Sequence, residues 1–328
     1  MFIHRRKPHE PIGGQETPRD VVMNRRQWLR RAGLWSGGVA LAGGAWYLGQ
    51  RWWQGDDRQV IENGAVEQPA VQHLHAAPRD DRFRYERDET PRVAAARYTN
   101  FYEFSRTKAV WRFVNEFEPH PWQLTIDGLC RVPLTLDLEQ FAKQYRNALV
   151  ERQYRHRCVE RWAMCVPWIG VPLARVLQDA DPLASATHVR FVSFDRPAQA
   201  SHQRERNFPW PYAEGLTIAE ARLDLVLLAV GMYGEPLLKQ HGAPLRLVVP
   251  WKYGYKSIKS IERIELVSER PTTFWSTLNP TAYPFVSNVN PAETVPWSQA
   301  SERMLGSGEH YPTQLYNGYA AEVAHLYE

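Results

Sequence analysis

From Tyr98 to its last residue the sequence predicts an α+β, strand-rich domain, on three observations. Short apolar runs recur, brief helical stretches with recognisable caps lie between them, and the two lack the even strand–helix alternation of a doubly wound sheet. The chain of 328 residues, 44% hydrophobic, is long enough to bury one large core or two modest ones.

The elements follow in order. Residues 1–50 read as a leader: a polar, proline-containing stretch over 1–23, then Asn24-Arg25-Arg26-Gln27-Trp28-Leu29-Arg30 ahead of a moderately apolar run from Ala32 to Gly49. A basic segment before an apolar one is the pattern of an export signal, and paired arginines point to the twin-arginine route. The run only just reaches bilayer-spanning length and is diluted by glycine, so a short membrane anchor is the competing reading. No clean Ala-x-Ala cleavage site follows it. Residues 51–97 are charged, as in Arg79-Asp80-Asp81-Arg82, and lack a sustained hydrophobic period, which predicts a linker or an extended arm.

The domain proper spans 98–328. Trp122 to Gly128 alternates apolar and polar residues as a half-buried strand does. Asp137 precedes Leu138, Phe141 and Tyr145 at helical spacing, with Gln140 placed to complete a capping box. Gln153–Arg157 predicts a short strand delivering Cys158 at its end, and Pro172–Leu177 a helix with proline in its first turn. Strands are expected at Val189–Phe194, Leu245–Val249 and Ile261–Val267, a capped short helix at Thr217-Ile218-Ala219-Glu220, and a buried apolar run at Leu223–Val230.

Composition excludes several function classes. The net charge of +4 is small and much of the excess lies in the leader, so no basic stripe interleaved with exposed aromatics marks a nucleic-acid partner. Cys-x-x-Cys and His-Glu-x-x-His patterns are absent, as are Gly-x-Ser-x-Gly, a Walker loop and Gly-x-Gly-x-x-Gly. Three cysteines, Cys130, Cys158 and Cys165, cannot all pair within one chain, so in an exported protein at least one thiol is free or metal-bound; a Cys158–Cys165 disulfide stays open.

Two segments carry chemistry. Cys158 has Arg155, Arg157 and Arg161 around it in sequence, with His156 close by. Neighbouring cations favour the thiolate, the form that attacks substrates or ligates soft metals; the competing reading is a buried, inert cysteine. In the second segment, Arg246, Lys252, Lys256 and Lys259 surround hydroxyls at Ser257 and Ser260, with Gly254 permitting close backbone approach. Cations, hydroxyls and backbone amides together suit a phosphate or pterin-type anion, against the plainer reading of a solvated lysine-rich loop. Of the tryptophans, Trp162, Trp168, Trp210, Trp251 and Trp275 either line a pocket for a thioether-like group or simply fill the core.

Several separated blocks occur in order: Thr99–Phe104, Tyr154 through Gly170, Asn207–Leu216, Gly242–Ile261, Asn288–Pro291, Trp297–Arg303 and Asn317–Tyr319. Together they resemble the periplasmic molybdopterin-dependent protein-methionine-sulfoxide reductases, of sulfite-oxidase-like fold. The resemblance covers most of the chain after Tyr98. It implies a β-rich molybdopterin-binding domain that reduces methionine sulfoxide in oxidised periplasmic proteins by oxygen-atom transfer, with molybdenum-molybdopterin as cofactor. It also implies that Cys158 is the metal ligand, that Arg246, Ser257, Ile258 and Lys259 hold the pterin and its phosphate, and that Thr99, Tyr102 and Glu103 form a first cofactor-contacting block. Ser193 stands where a threonine is common. Thr99 and His241 stand where asparagines are usual, and His241 would make that contact pH-sensitive. Without a flavin, nicotinamide or haem motif of its own, the chain is expected to take electrons from another protein, in the family a haem-containing inner-membrane subunit. A related molybdoenzyme acting on other S- or N-oxides or on sulfite, and a non-enzymatic exported binding domain, are the alternatives.

Overall fold

Alternation and capping place the elements of the computed structural model, which describes residues 56–66 and 77–328; the expected export signal, with Arg25 and Arg26, lies outside the described residues. In chain order these are α1 (Asp57–Glu62), α2 (Arg92–Arg97), β1 (Gln123–Gly128), β2 (Leu134–Asp137), α3 (Leu138–Gln144), β3 (Val150–Arg157), β4 (Trp162–Pro172), α4 (Leu173–Ala180), β5 (His188–Ser193), β6 (Ala213–Thr217) and α5 (Ile218–Ala221). They continue with β7 (Leu227–Met232), β8 (Glu235–Pro236), β9 (Arg246–Val248), β10 (Ile261–Val267), α6 (Phe274–Leu278), β11 (Ser301–Met304), β12 (His310–Pro312) and α7 (Ala320–Val323), with short 3-10 turns between them.

The first sheet runs β2-β1-β10-β5-β6. β1 and β10 are parallel and the other pairs antiparallel. β1 shows why alternation was readable: Leu124 and Ile126 point into the core between less buried neighbours. The second sheet runs β12-β11-β4-β7-β8, with β3 on β4 and β9 on β7. Its centre, β4, is buried at every position from Trp162 to Pro172, so it has no polar face and reads in sequence as a continuous apolar run. β11 lies parallel beside the start of β4, Arg303 opposite Trp162 and Met304 opposite Ala163. The result is an α+β architecture of mixed sheets with few, short helices, as predicted.

Capping behaves as expected at two helices. Asp137 and Gln140 form a reciprocal box at α3, and Thr217 and Glu220 do the same at α5. At α4 the proline sits one position earlier than expected: Pro172 is the N-cap, and the helix ends at Asp181 in the left-handed region. Residues 51–97, expected as a linker or extended arm, are tied into the domain where they are described. Phe83 is buried, Asp80 N–H donates to Glu151 O at 2.9 Å, and Thr90 N–H donates to Cys165 O at 2.8 Å. The guanidinium of the buried Arg152 on β3 meets the Asp80 carboxylate at 3.0 Å and that of Asp224 at 2.7 Å. α1 and α2 add a small apolar cluster in which Val60, Ala96, Trp111 and Leu238 meet.

Candidate active site

Cys158 ends β3 on a tight turn into β4. Its N–H donates to Trp162 O at 2.9 Å, Arg161 N–H returns to Cys158 O at 3.0 Å, and Arg161 takes a positive φ of 68° to close the turn. The sulfur is buried and faces two donors: Asn100 Nδ2 at 3.6 Å and the Glu160 N–H at 3.5 Å. The Glu160 carboxylate, 3.9 Å from the sulfur, accepts from Trp162 Nε1 at 3.1 Å, Asn100 Nδ2 at 3.2 Å and Lys108 Nζ at 2.7 Å. Burial would raise this carboxyl, and Lys108 more than compensates, holding it below the ordinary range.

None of the three arginines around Cys158 in sequence contacts its sulfur. Arg155 donates to Gln314 Oε1 at 2.5 Å, Arg161 is exposed, and Arg157 turns back to the Cys158 carbonyl and to Glu302. Burial therefore pushes the Cys158 thiol up to about 12, the Glu160 charge adds to the rise, and Lys108 and Arg157 offset it only in part. A thiolate at this position needs positive charge that the chain does not supply. His156, buried close to Trp162 and Trp168, is held neutral by burial and by the charges of Arg246 and Lys259. All three cysteines are free, so the Cys158–Cys165 disulfide is not formed.

A cavity opens over this sulfur. Thr99, Tyr102, Glu103, His241, Arg246, Ser257, Ile258 and Lys259 all line it with Cys158. Ser193 does not. It lies one layer behind, donating from Oγ to Lys259 O at 2.9 Å and Ser260 O at 3.2 Å, and so supports the 257–260 loop. Lys259 Nζ reaches Asn100 O at 2.7 Å. Glu103 is raised to about 7 by burial, with Lys259 pulling the other way. Arg246 is buried and donates to His241 O and Ser257 O, each at 2.9 Å, joining the two loops that flank the cavity. Thr99 N–H donates to Lys108 O at 3.1 Å, which ties the first block to the lysine at Glu160.

Two sequence expectations are corrected here, and one alternative left open is resolved. Lys252 and Lys256 do not serve an anion site: each is buried in an ion pair, with Glu220 and Glu214 respectively, both at 2.6 Å. His241 is not poised to titrate near neutrality, because burial holds it down to about 3. Of the five tryptophans weighed, Trp162 and Trp275 line the cavity, Trp168 and Trp251 are core, and Trp210 packs with Phe208 and Phe274. The sequence reading had assigned no role to Asn100, Lys108, Glu160, Tyr255 or Tyr283. Glu160 stands two residues from the cysteine on a turn, but Asn100, Lys108 and Tyr283 reach it only through the tertiary fold.

The donor set fits a cofactor-borne metal. Among the described residues no group of three His, Cys, Asp or Glu side chains could hold a metal ion alone, so a metal at Cys158 must bring its other ligands with it. A cation there would supply the charge the thiolate lacks, and N–H groups directed at the sulfur suit a ligating thiolate. The cavity wall offers Arg246, Lys259 and the buried His241 Nε2, which has no hydrogen-bond partner, to a polar, anionic organic group. Tyr102 and Tyr283 pack on Trp275 at 4.9 and 5.1 Å between ring centroids, forming an aromatic wall beside these polar groups.

Comparison with known proteins agrees with this chemistry. Residues 112–275 match the family model described as oxidoreductase molybdopterin binding domain. The chain is 43% identical over 326 residues to the protein-methionine-sulfoxide reductase catalytic subunit MsrP of Gluconobacter oxydans (strain 621H), an alignment covering 97% of this chain and 95% of that one. A slighter likeness, with a TM-score of 0.42 and 19% identity over 76% of this chain and 56% of the other, links it to the sulfane dehydrogenase SoxCD of Paracoccus pantotrophus.

Proposed function

Since the chain belongs to the family of protein-methionine-sulfoxide reductase catalytic subunits and carries their molybdopterin-binding domain, we propose that it reduces methionine sulfoxide in oxidised proteins, with Cys158 as the protein's ligand to molybdenum. The observation that carries this reading is the buried Cys158 sulfur in the cavity, facing N–H donors from Asn100 and Glu160, with no second thiol paired to it and, among the described residues, no metal-ligand cluster. When bound, molybdenum-molybdopterin supplies a two-electron centre for oxygen-atom transfer.

The chain's own residues would do the rest. Arg246, Lys259 and Ser257, with the Ile258 backbone, would grip the pterin and its phosphate; His241 Nε2 and, from a separate segment, Thr99, Tyr102 and Glu103 would complete that contact. Ser193 would hold the 257–260 loop in shape from behind. Tyr102, Trp162, Trp275 and Tyr283 would receive the methionine side chain, since sulfur packs favourably against aromatic rings. Methionine sulfoxide is a repairable lesion, and a reductase restores the apolar side chain.

The same proposal places the enzyme in the periplasm, exported by the twin-arginine route through Arg25 and Arg26. Its leader would be residues 1–50, its arm 51–97 and its catalytic domain 98–328. Electrons would come from a haem-containing inner-membrane subunit; among the described residues no helix is long and apolar enough to cross a membrane.

Metal analysis tests the reading. Protein from cells that make molybdopterin should hold about one molybdenum per chain, and Cys158→Ala should lose nearly all sulfoxide reduction, because a methyl group cannot replace a metal-bound thiolate. Zinc in place of molybdenum, or an active Cys158→Ala, would sink it.

A further inference from the structure

The block Trp297-Ser298-Gln299-Ala300-Ser301-Glu302-Arg303 has no part in the site described above, yet two of its side chains are wholly buried and both reach towards the cysteine turn. Gln299 Nε2 donates to Val159 O at 2.8 Å and to Trp297 O at 2.9 Å, while its Oε1 accepts from Arg157 Nη2 at 2.9 Å. Both N–H groups and the carbonyl of this amide are thus engaged, which fixes its orientation. Arg157 is itself buried; it donates from Nη1 to Cys158 O, and from Nη2 also to Ser301 O at 3.2 Å and Thr313 Oγ1 at 3.4 Å. Its Nε lies 2.9 Å from Glu302 Oε2, at ion-pair distance though not aligned as a hydrogen bond, and the other Glu302 oxygen meets Arg87.

The carbonyls of Cys158 and Val159 are therefore both held by side chains anchored in the C-terminal block. The first carbonyl belongs to a peptide unit that flanks the Cys158 Cα, and the second to the unit whose N–H, that of Glu160, faces the Cys158 sulfur at 3.5 Å. We propose that Gln299, with the Arg157–Glu302 pair behind it, is a positioning residue that aims the Cys158 sulfur into the cavity. The inference rests on the reading of Cys158 as the metal ligand and adds to it a determinant that touches neither metal nor pterin.

The test removes the hydrogen bonds and keeps the volume. In Gln299→Met, Val159 O loses its side-chain donor and Arg157 loses one of its acceptors. Tyr154→Phe is the control: on β3, the strand that leads into Cys158, it removes buried hydrogen bonds to Leu225 O at 2.9 Å and with Arg152 at 3.1 Å, away from the turn. Two readouts are taken, alkylation of Cys158 in cofactor-free protein, followed by peptide mass spectrometry, and the thiolate-to-metal absorption band of the loaded enzyme. Gln299→Met should speed alkylation about fivefold or more, as expected when a turn loses one buried hydrogen bond, and should shift the band. Tyr154→Phe should lower the melting temperature and change neither readout. If Gln299→Met does not fold, Gln299→Glu carries the same test, because it keeps the acceptor towards Arg157 and loses the donor to Val159. Unchanged alkylation and band position in the Gln299 variant, or equal changes in Tyr154→Phe, would overturn the proposal. Full molybdenum and activity in Cys158→Ala would instead overturn the reading beneath it.

Discussion

Arg246 shows how a site residue can be legible in kind while part of its work goes unread. A guanidinium has five N–H donors, and here it commits Nε to Leu247 O at 3.2 Å and its other nitrogens to His241 O and Ser257 O at 2.9 Å. In sequence it was an anion-binding cation; in the fold it also welds two loops. Arg246→Ala should therefore lower the stability of cofactor-free protein by roughly 3 kcal/mol or more, since three buried carbonyls lose a charged donor. Lys259 holds one carbonyl, Asn100 O, and faces the cavity, so Lys259→Ala should unfold little more readily and instead weaken cofactor retention about tenfold to a hundredfold. Denaturant unfolding of the cofactor-free proteins, with molybdenum per chain beside it, separates the two. Lys252 and Lys256 were grouped with Arg246 because the buried carboxylates that claim them, Glu220 and Glu214, lie more than thirty positions upstream in sequence. No local pattern announces such a pair.

At the scale of elements, caps and alternation were readable because they are local. The boxes at α3 and α5 each close within four residues, and β1 shows its inward face in its own alternation. β4 gave no such sign, being buried on both faces, and the arm gave none because its anchors are distant. Asp80 is the main polar anchor: hydrogen bonding from Arg82 and the charge of Arg152 on β3 hold its carboxyl at about 2, below the ordinary 3.8. A carboxyl depressed on folding stabilises above its unfolded value, and that stability fades as pH falls through the folded one. Anchorage by Asp80 should thus be complete above about pH 4 and vanish towards pH 2. Unfolding midpoints of wild type and Asp80→Asn should differ near neutrality and converge over that window. A gap that stayed constant down to pH 2 would show that Asp80 does not titrate there.

For the whole molecule, the α+β class and most of the cavity lining were legible, the latter through blocks matched in order over the length of the domain. Contacts between those blocks were not: Asn100 at the sulfur, Lys108 on Glu160 and Gln299 beneath the turn all join residues more than fifty positions apart, which a linear reading cannot pair. Export is also a property of the whole chain. Replacing Arg25 and Arg26 by lysine should keep the protein in the cytoplasm, because lysine lacks the planar fork of the guanidinium. Cell fractionation of the double variant checks this, and normal periplasmic recovery would move the signal elsewhere in the leader.

The parallel placement of β11 beside β4 has a consequence in time. The cysteine turn leaves the ribosome long before the strand that closes its edge, and the Gln299 clamp belongs to the same late segment. The floor of the cavity is thus unfinished until residues 297–304 have emerged, and loading of the pterin should wait for that segment. Chains stalled with residues 297–304 still in the exit tunnel should carry no molybdenum, while the same chains after release should acquire it.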